Sequence, residues 1–183
     1  MNARSIVESA KFNAEPSIEQ APHIHTISVY VNNKPGVLMR ICQVFARRAY
    51  NIDALVVSHA SNATLSRMTI TVSGAPEGLS QIIRQLNKLV DVIHCFEHSA
   101  GDSVAKEMAL FKIHTTTGDY VQVSQAVHEL GGSVVDCTAG TLIVMLNGDS
   151  EKIDWALQVL GEFELVETVR TGKVVMARHR VKT

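Results

Sequence analysis

Cysteine, proline and aromatic residues are scarce in this chain of 183 residues, and neither sign of charge dominates. The 3 Cys, at positions 42, 95 and 137, are odd in number and far apart. That excludes a disulfide frame or a cysteine-based zinc site, and it points to buried thiols in a reducing compartment. Lys+Arg 17 against Asp+Glu 18 leave a formal net charge of -1. The electrostatic reason to expect nucleic acid or an anionic membrane as partner is therefore absent. No apolar run approaches the ~20 residues of a membrane span, and the polar first residues lack the apolar core of a secretory signal. Catalytic signatures are missing too: there is no G-x-S-x-G, Walker, G-x-G-x-x-G or H-E-x-x-H sequence. What is present is globular, 46% hydrophobic against 19% charged. A cytoplasmic protein of one or two small domains is the expectation.

Periodicity organises the chain. Residues 1–23, with Pro16 and Pro22, have no sustained period and read as a flexible arm. From His25 to Val31 apolar and polar residues alternate as in a half-buried strand, and Asn32-Asn33-Lys34-Pro35-Gly36 breaks it. Val37, Leu38, Ile41, Val44, Phe45 and Arg48 then follow a helical spacing. Ile52–Ser58 and Leu65–Val72 read as a hairpin of strands turning at Asn62. Leu79, Ile82, Ile83, Leu86, Leu89 and Val90 mark a second helix, and Asp91–His98 a fourth strand.

After a polar stretch, Ser99–Ser103, the order repeats. Strands are expected at Ala109–His114, Ser133–Cys137, Thr141–Leu146 and Glu164–Val169. One helix carries Val123, Ala126, Val127 and Leu130, and another, capped by Asp149, carries Ile153, Ala156, Leu157 and Leu160. The fold class is thus α+β, with two tandem ferredoxin-like βαββαβ units at residues 24–99 and 107–175. Units this small bury only about 60% of their unfolded surface. Each also leaves one sheet face and the outer strand edges free, so association is expected.

No catalytic or metal cluster emerges from the titratable residues. His94 and His98 lie four apart on a strand, about 13 Å, too far to share one ion. A metal-binding protein using His94, His98 or His114 remains a rival reading. The informative stretch is Asn33-Lys34-Pro35-Gly36-Val37-Leu38. Gly36 stands where a strand gives way to a helix, and the N–H groups of Gly36, Val37 and Leu38 would point out of the helix start. Such an array suits a carboxylate. Asn33 offers an amide oxygen for an ammonium group. Together they describe a receptor for a free amino acid. The same residues also suit an ordinary strand-to-helix turn, and spacing alone leaves both readings open.

Four segments, N-K-P-G-V-L-M-R-I, F-A-R-R-A-Y-N-I, T-L-S-R-M-T-I and Q-L-N-K-L-V-D-V, resemble the regulatory (small) subunit of acetolactate synthase, also called acetohydroxyacid synthase. The first unit resembles its amino-acid-binding ACT domain. From Met108 onward the likeness rests on element order and on Val166-Glu167-x-Val169-Arg170-Thr171-Gly172. The resemblance implies a chain without a catalytic site that activates the catalytic large subunit. It also implies feedback inhibition by a branched-chain amino acid, valine foremost, in valine, leucine and isoleucine biosynthesis. Asn33, Gly36, Val37 and Leu38 would form the effector site, completed by Asn51 and Ile52 of a second chain. That homodimer would pair second-strand edges and first helices. Thiamine diphosphate, magnesium and FAD would belong to the catalytic subunit, with no cofactor on this chain. A free-standing ACT-type sensor acting on another protein is the alternative. One departure is Ala49, where the family usually has Gly, a strained choice if φ is positive there. The other is the long N-terminal arm.

Overall fold

The computed structural model describes residues 23–99, 101–116 and 118–178, so the N-terminal arm before His23 lies outside the described residues. Two units are present, residues 23–105 with 172–178 and residues 106–171. In the first, β1 (Ile24–Asn32), α1 (Val37–Ala46), β2 (Ile52–His59), β3 (Leu65–Ser73), α2 (Pro76–Leu86) and β4 (Val92–His98) follow in the expected order. The sheet order is β2-β3-β1-β4, and every pairing is antiparallel.

Alternation in the strands sets the two faces of this sheet. Ile27, Val29 and Val31 of β1 and Met68, Ile70 and Val72 of β3 face the helices, where Val37, Ile41, Phe45, Leu79, Ile82 and Leu86 close over them. Both helices end sooner than the apolar spacing suggests. Arg47 and Asn87 are already their C-caps. Val90, expected on the core face, is 97% exposed in the turn before β4.

The second unit repeats the plan with β5 (Ser103–His114, its first three residues belonging with the first unit), α3 (Tyr120–Glu129), β6 (Ser133–Thr138), β7 (Thr141–Gly148), α4 (Ser150–Leu160) and β8 (Glu164–Arg170). Its sheet runs β6-β7-β5-β8. Phe111, Ile113, Leu142, Val144 and Leu146 meet Val123, Val127, Leu130, Ile153 and Leu160 in its core. The Asp149 side chain accepts from the Lys152 N–H at 3.0 Å, the expected cap. Leu157 departs from its expected core position, being exposed, and Val159 is buried in that helix turn. β5 also begins at Ser103, so part of the expected polar connection is strand.

A ninth strand, β9 (Val174–Ala177), has no counterpart in the periodic reading and pairs with β5. Residues 172–178 belong with the first unit, although they follow the second in sequence. They lie on the side of its sheet that carries no helix. A Cβ on Gly172 would stand 2.9 Å from the Ala54 Cβ, the Arg67 guanidinium donates to the Val175 carbonyl, and Val175 is 1% exposed. Burying such a side chain contributes about 1.5–3 kcal/mol. Ser28, Thr69 and Thr71, polar residues of the same face, are buried as well.

The three thiols do not share one environment. Cys95 is buried, Cys42 half-buried, and Cys137, expected to be buried, is exposed on edge strand β6. Burial pushes the Cys95 thiol up to about 12.

Candidate functional site

The turn after β1 has the geometry that an amide receptor requires. Gly36 is the N-cap of α1, with φ 80° and ψ -4° in the left-handed region, a conformation open to glycine at little cost. No side chain caps this helix and no acid lies in its first turn. Among the described residues the N–H groups of Gly36 and Leu38 donate no hydrogen bond, and that of Val37 makes only a long 3.4 Å contact with the Lys34 carbonyl. Free donors at a helix start, with the positive end of its dipole behind them, favour an anion. A Cβ on Gly36 would meet nothing within 4 Å, so the approach to these amides is open.

Asn33, three residues before Gly36, is held by the β2–β3 hairpin. Its Nδ2 donates to the Ala63 carbonyl at 3.1 Å and lies 3.3 Å from His59 Nδ1. The amide nitrogen is thereby committed to the β2–β3 hairpin, and Oδ1 is left as an acceptor. This anchoring was invisible in the sequence, because it depends on where the hairpin folds back. Val37 is buried and roots the turn in the core, whereas Leu38 is exposed at 38%.

Asn51 and Ile52 lie elsewhere in the protomer. Ile52 pairs with Val72, while Asn32, at the end of β1 beside the turn, pairs with Leu65. Those two rungs lie seven residue steps apart along β3, about 23 Å. Asn51 is exposed and donates from Nδ2 to Asp53 Oδ1 at 3.0 Å. Ile52 packs on the core. One chain thus brings together Asn33, Gly36, Val37 and Leu38 and leaves Asn51 and Ile52 apart from them.

The histidines have neighbours of other kinds. Phe96 stands between His94 and His98, with ring centroids 4.9 Å and 4.7 Å away, so the two imidazoles do not converge on one ion. His98 Nε2 and Ser28 Oγ share a 2.7 Å hydrogen bond. Burial and the nearby Arg67 charge both lower the His98 pKa. His114 pairs with Glu164 at 2.9 Å in the second unit. Among the described residues no group of three His, Cys, Asp or Glu side chains could hold a metal ion. Among them, too, no helix is long and apolar enough to cross a membrane.

Comparison with known proteins addresses the chain as a whole. Residues 27–94 match the small-subunit-like ACT domain of acetohydroxyacid synthase, and residues 106–179 match the model of the small subunit of acetolactate synthase. An acetolactate synthase small subunit of Mycobacterium leprae is 41% identical over 154 residues, covering 84% of this chain and 91% of that protein. A "probable acetolactate synthase small subunit" of Methanothermobacter thermautotrophicus is 38% identical over 162 residues, 88% of this chain and 96% of that one. The crystal structure of the small subunit from Thermotoga maritima superposes with a TM-score of 0.79 at 32% identity, covering 87% of this chain and 99% of that one. With relatives this similar along nearly their whole length, the chain belongs to the acetolactate synthase small subunit family.

Proposed function

We propose that this chain is a regulatory subunit without chemistry of its own, which activates the acetolactate synthase catalytic subunit and subjects it to feedback inhibition by a branched-chain amino acid, valine foremost. Thiamine diphosphate, magnesium and FAD reside on the catalytic partner. The observation that carries this reading is the left-handed Gly36 turn with its free amides, three residues after Asn33, whose Oδ1 is left as an acceptor. A carboxylate on the first and an ammonium group on the second is the pattern of a free amino acid.

The site is completed by a second copy of the chain. Strand β2 is an edge of its sheet, and unpaired edges invite pairing. Antiparallel pairing of two β2 strands about the Leu55–Val56 midpoint sets the partner copy's position 52 opposite His59. That is the residue whose ring lies 3.3 Å from Asn33. Positions 51 and 52, remote within one protomer, thus reach the turn of the other. An effector held by both copies favours one packing of the dimer, and only that differential affinity changes the bound enzyme. A coupling of about 1–3 kcal/mol corresponds to 5–150-fold effects. Valine and leucine differ by one methylene, about 0.8 kcal/mol, or roughly fourfold in preference.

Calorimetric titration with each branched-chain amino acid tests the reading, together with inhibition of the reconstituted holoenzyme. Gly36→Asp puts a carboxylate where the ligand's own would sit. Asp tolerates the left-handed region better than most residues, and the added Cβ meets open space, so the variant is expected to fold. Loss of both binding and inhibition is the expected result, with Gly36→Ala as the control for backbone strain. An unchanged inhibition curve in Gly36→Asp sinks the site.

A further inference from the structure

The helical layer of the first unit has a second feature, at the other end of α1 from Gly36. An open groove of about 500 Å³ is lined by Val44, Arg47, Arg48, Gln85, Lys88 and Leu89. Val44 and Leu89 are half-buried and pack on the core, giving the groove an apolar floor. Its rim carries three cations and no carboxylate. Arg48 is fixed, donating to Gln85 Oε1 at 3.2 Å and to Gln81 Oε1 at 2.5 Å. Arg47 and Lys88 are exposed, and among the described residues neither has an ion-pair partner. The acid closest in sequence to Lys88, Asp91, is already engaged by Lys34 and Arg40. Beside Leu89, Val90 is 97% exposed.

This positive charge exceeds what the helices call for. Each helix C-terminus carries about half a negative charge, so two ends balance one cation and leave roughly two uncompensated. A small anion fits poorly, since it is gripped by the N–H groups of a helix start, whereas α1 and α2 both end here. A surplus of cations above an apolar floor is complementary to a protein segment that is acidic and apolar along one side. We infer that this groove docks such a segment of the catalytic subunit; the identity of the partner rests on the function proposed above.

The test uses the full chain and separately purified catalytic subunit. In Arg47→Glu/Lys88→Glu the affinity for the catalytic subunit is expected to fall at least tenfold and its salt dependence to flatten. Valine titration and the sedimentation of the isolated chain are expected to stay as in the wild type. The neutral pair Arg47→Gln/Lys88→Gln is expected to fall between the two. Equal affinity and equal salt dependence for all three chains overturn the inference and leave the regulatory reading standing. A wild-type chain that does not bind the catalytic subunit overturns both. Inorganic phosphate binding that the Glu variant loses, with its catalytic-subunit affinity intact, assigns the groove to a small anion. A changed sedimentation coefficient of the isolated variant assigns it to a second copy. Either of these also overturns the inference.

Discussion

Ala49 holds φ 56° at the turn between α1 and β2, a conformation that costs a residue with a Cβ about 1–2 kcal/mol. Glycine relieves this strain but gains freedom in the unfolded chain, which takes back roughly 0.4–1 kcal/mol. Ala49→Gly is therefore expected to stabilise the fold by about 0.5–1 kcal/mol, read as a higher denaturant midpoint at unchanged slope. A midpoint that does not rise shows that the turn relaxes in solution. At this scale the sequence was legible where chemistry is local. Asn-Lys-Pro-Gly before a helical period leaves few conformations for Gly36, and the structure has the left-handed one. The direction of the Asn33 amide was not legible, because its anchor at Ala63 is 30 residues away. Nor was the exposure of Cys137, since a short strand at a sheet edge carries the same apolar neighbours as a central one.

Among the elements of the described residues, the eight longer strands and four helices announced themselves by period, while β9 did not. Four residues, VVMA, are too few to display an alternation, and the surface they cover is set by tertiary contacts alone. Its consequences reach the buried face of the first sheet, where His98 meets Ser28 and the charge of Arg67 is near. The pKa of His98 is lowered in the folded chain, chiefly by burial and then by Arg67. In the unfolded chain the group takes its proton at a higher pH, near the usual 6.5. The unfolded state therefore binds more protons as pH falls below that value, and stability falls with it until the folded state is protonated too. Urea midpoints measured between pH 7.5 and 5 are expected to drop more for the wild type than for His98→Gln. Parallel profiles for the two would mean that the imidazole is as well solvated folded as unfolded.

At the scale of the molecule, the first unit leaves apolar side chains bare beside its open edge. Met39 on α1 is 67% exposed and Val57 on β2 46%. Their burial between two copies would account for both. Met39→Glu/Val57→Glu is expected to shift the isolated chain from dimer to monomer in sedimentation equilibrium. Branched-chain amino acid affinity should weaken in step if, as proposed, the site draws on two protomers. A dimer that survives with full affinity would place the contact elsewhere. The repeat of βαββαβ order was readable along the chain because each unit closes its own core, and a closed core imposes its period on the sequence. A pairing of copies would leave no such trace, since a single edge strand looks the same whether or not it has a mate.

The segment after Thr171 returns to the sheet with which the described chain begins. A fragment ended at residue 99, the natural cut for anyone isolating the first unit, would therefore lose Val175 and the carbonyl that Arg67 donates to. Any failure of such a fragment would reflect the missing tail. Dissection of this protein calls for a graft that carries residues 172–178 back onto the amino-terminal half, so that each half is cut where its contacts end and not where its sequence does.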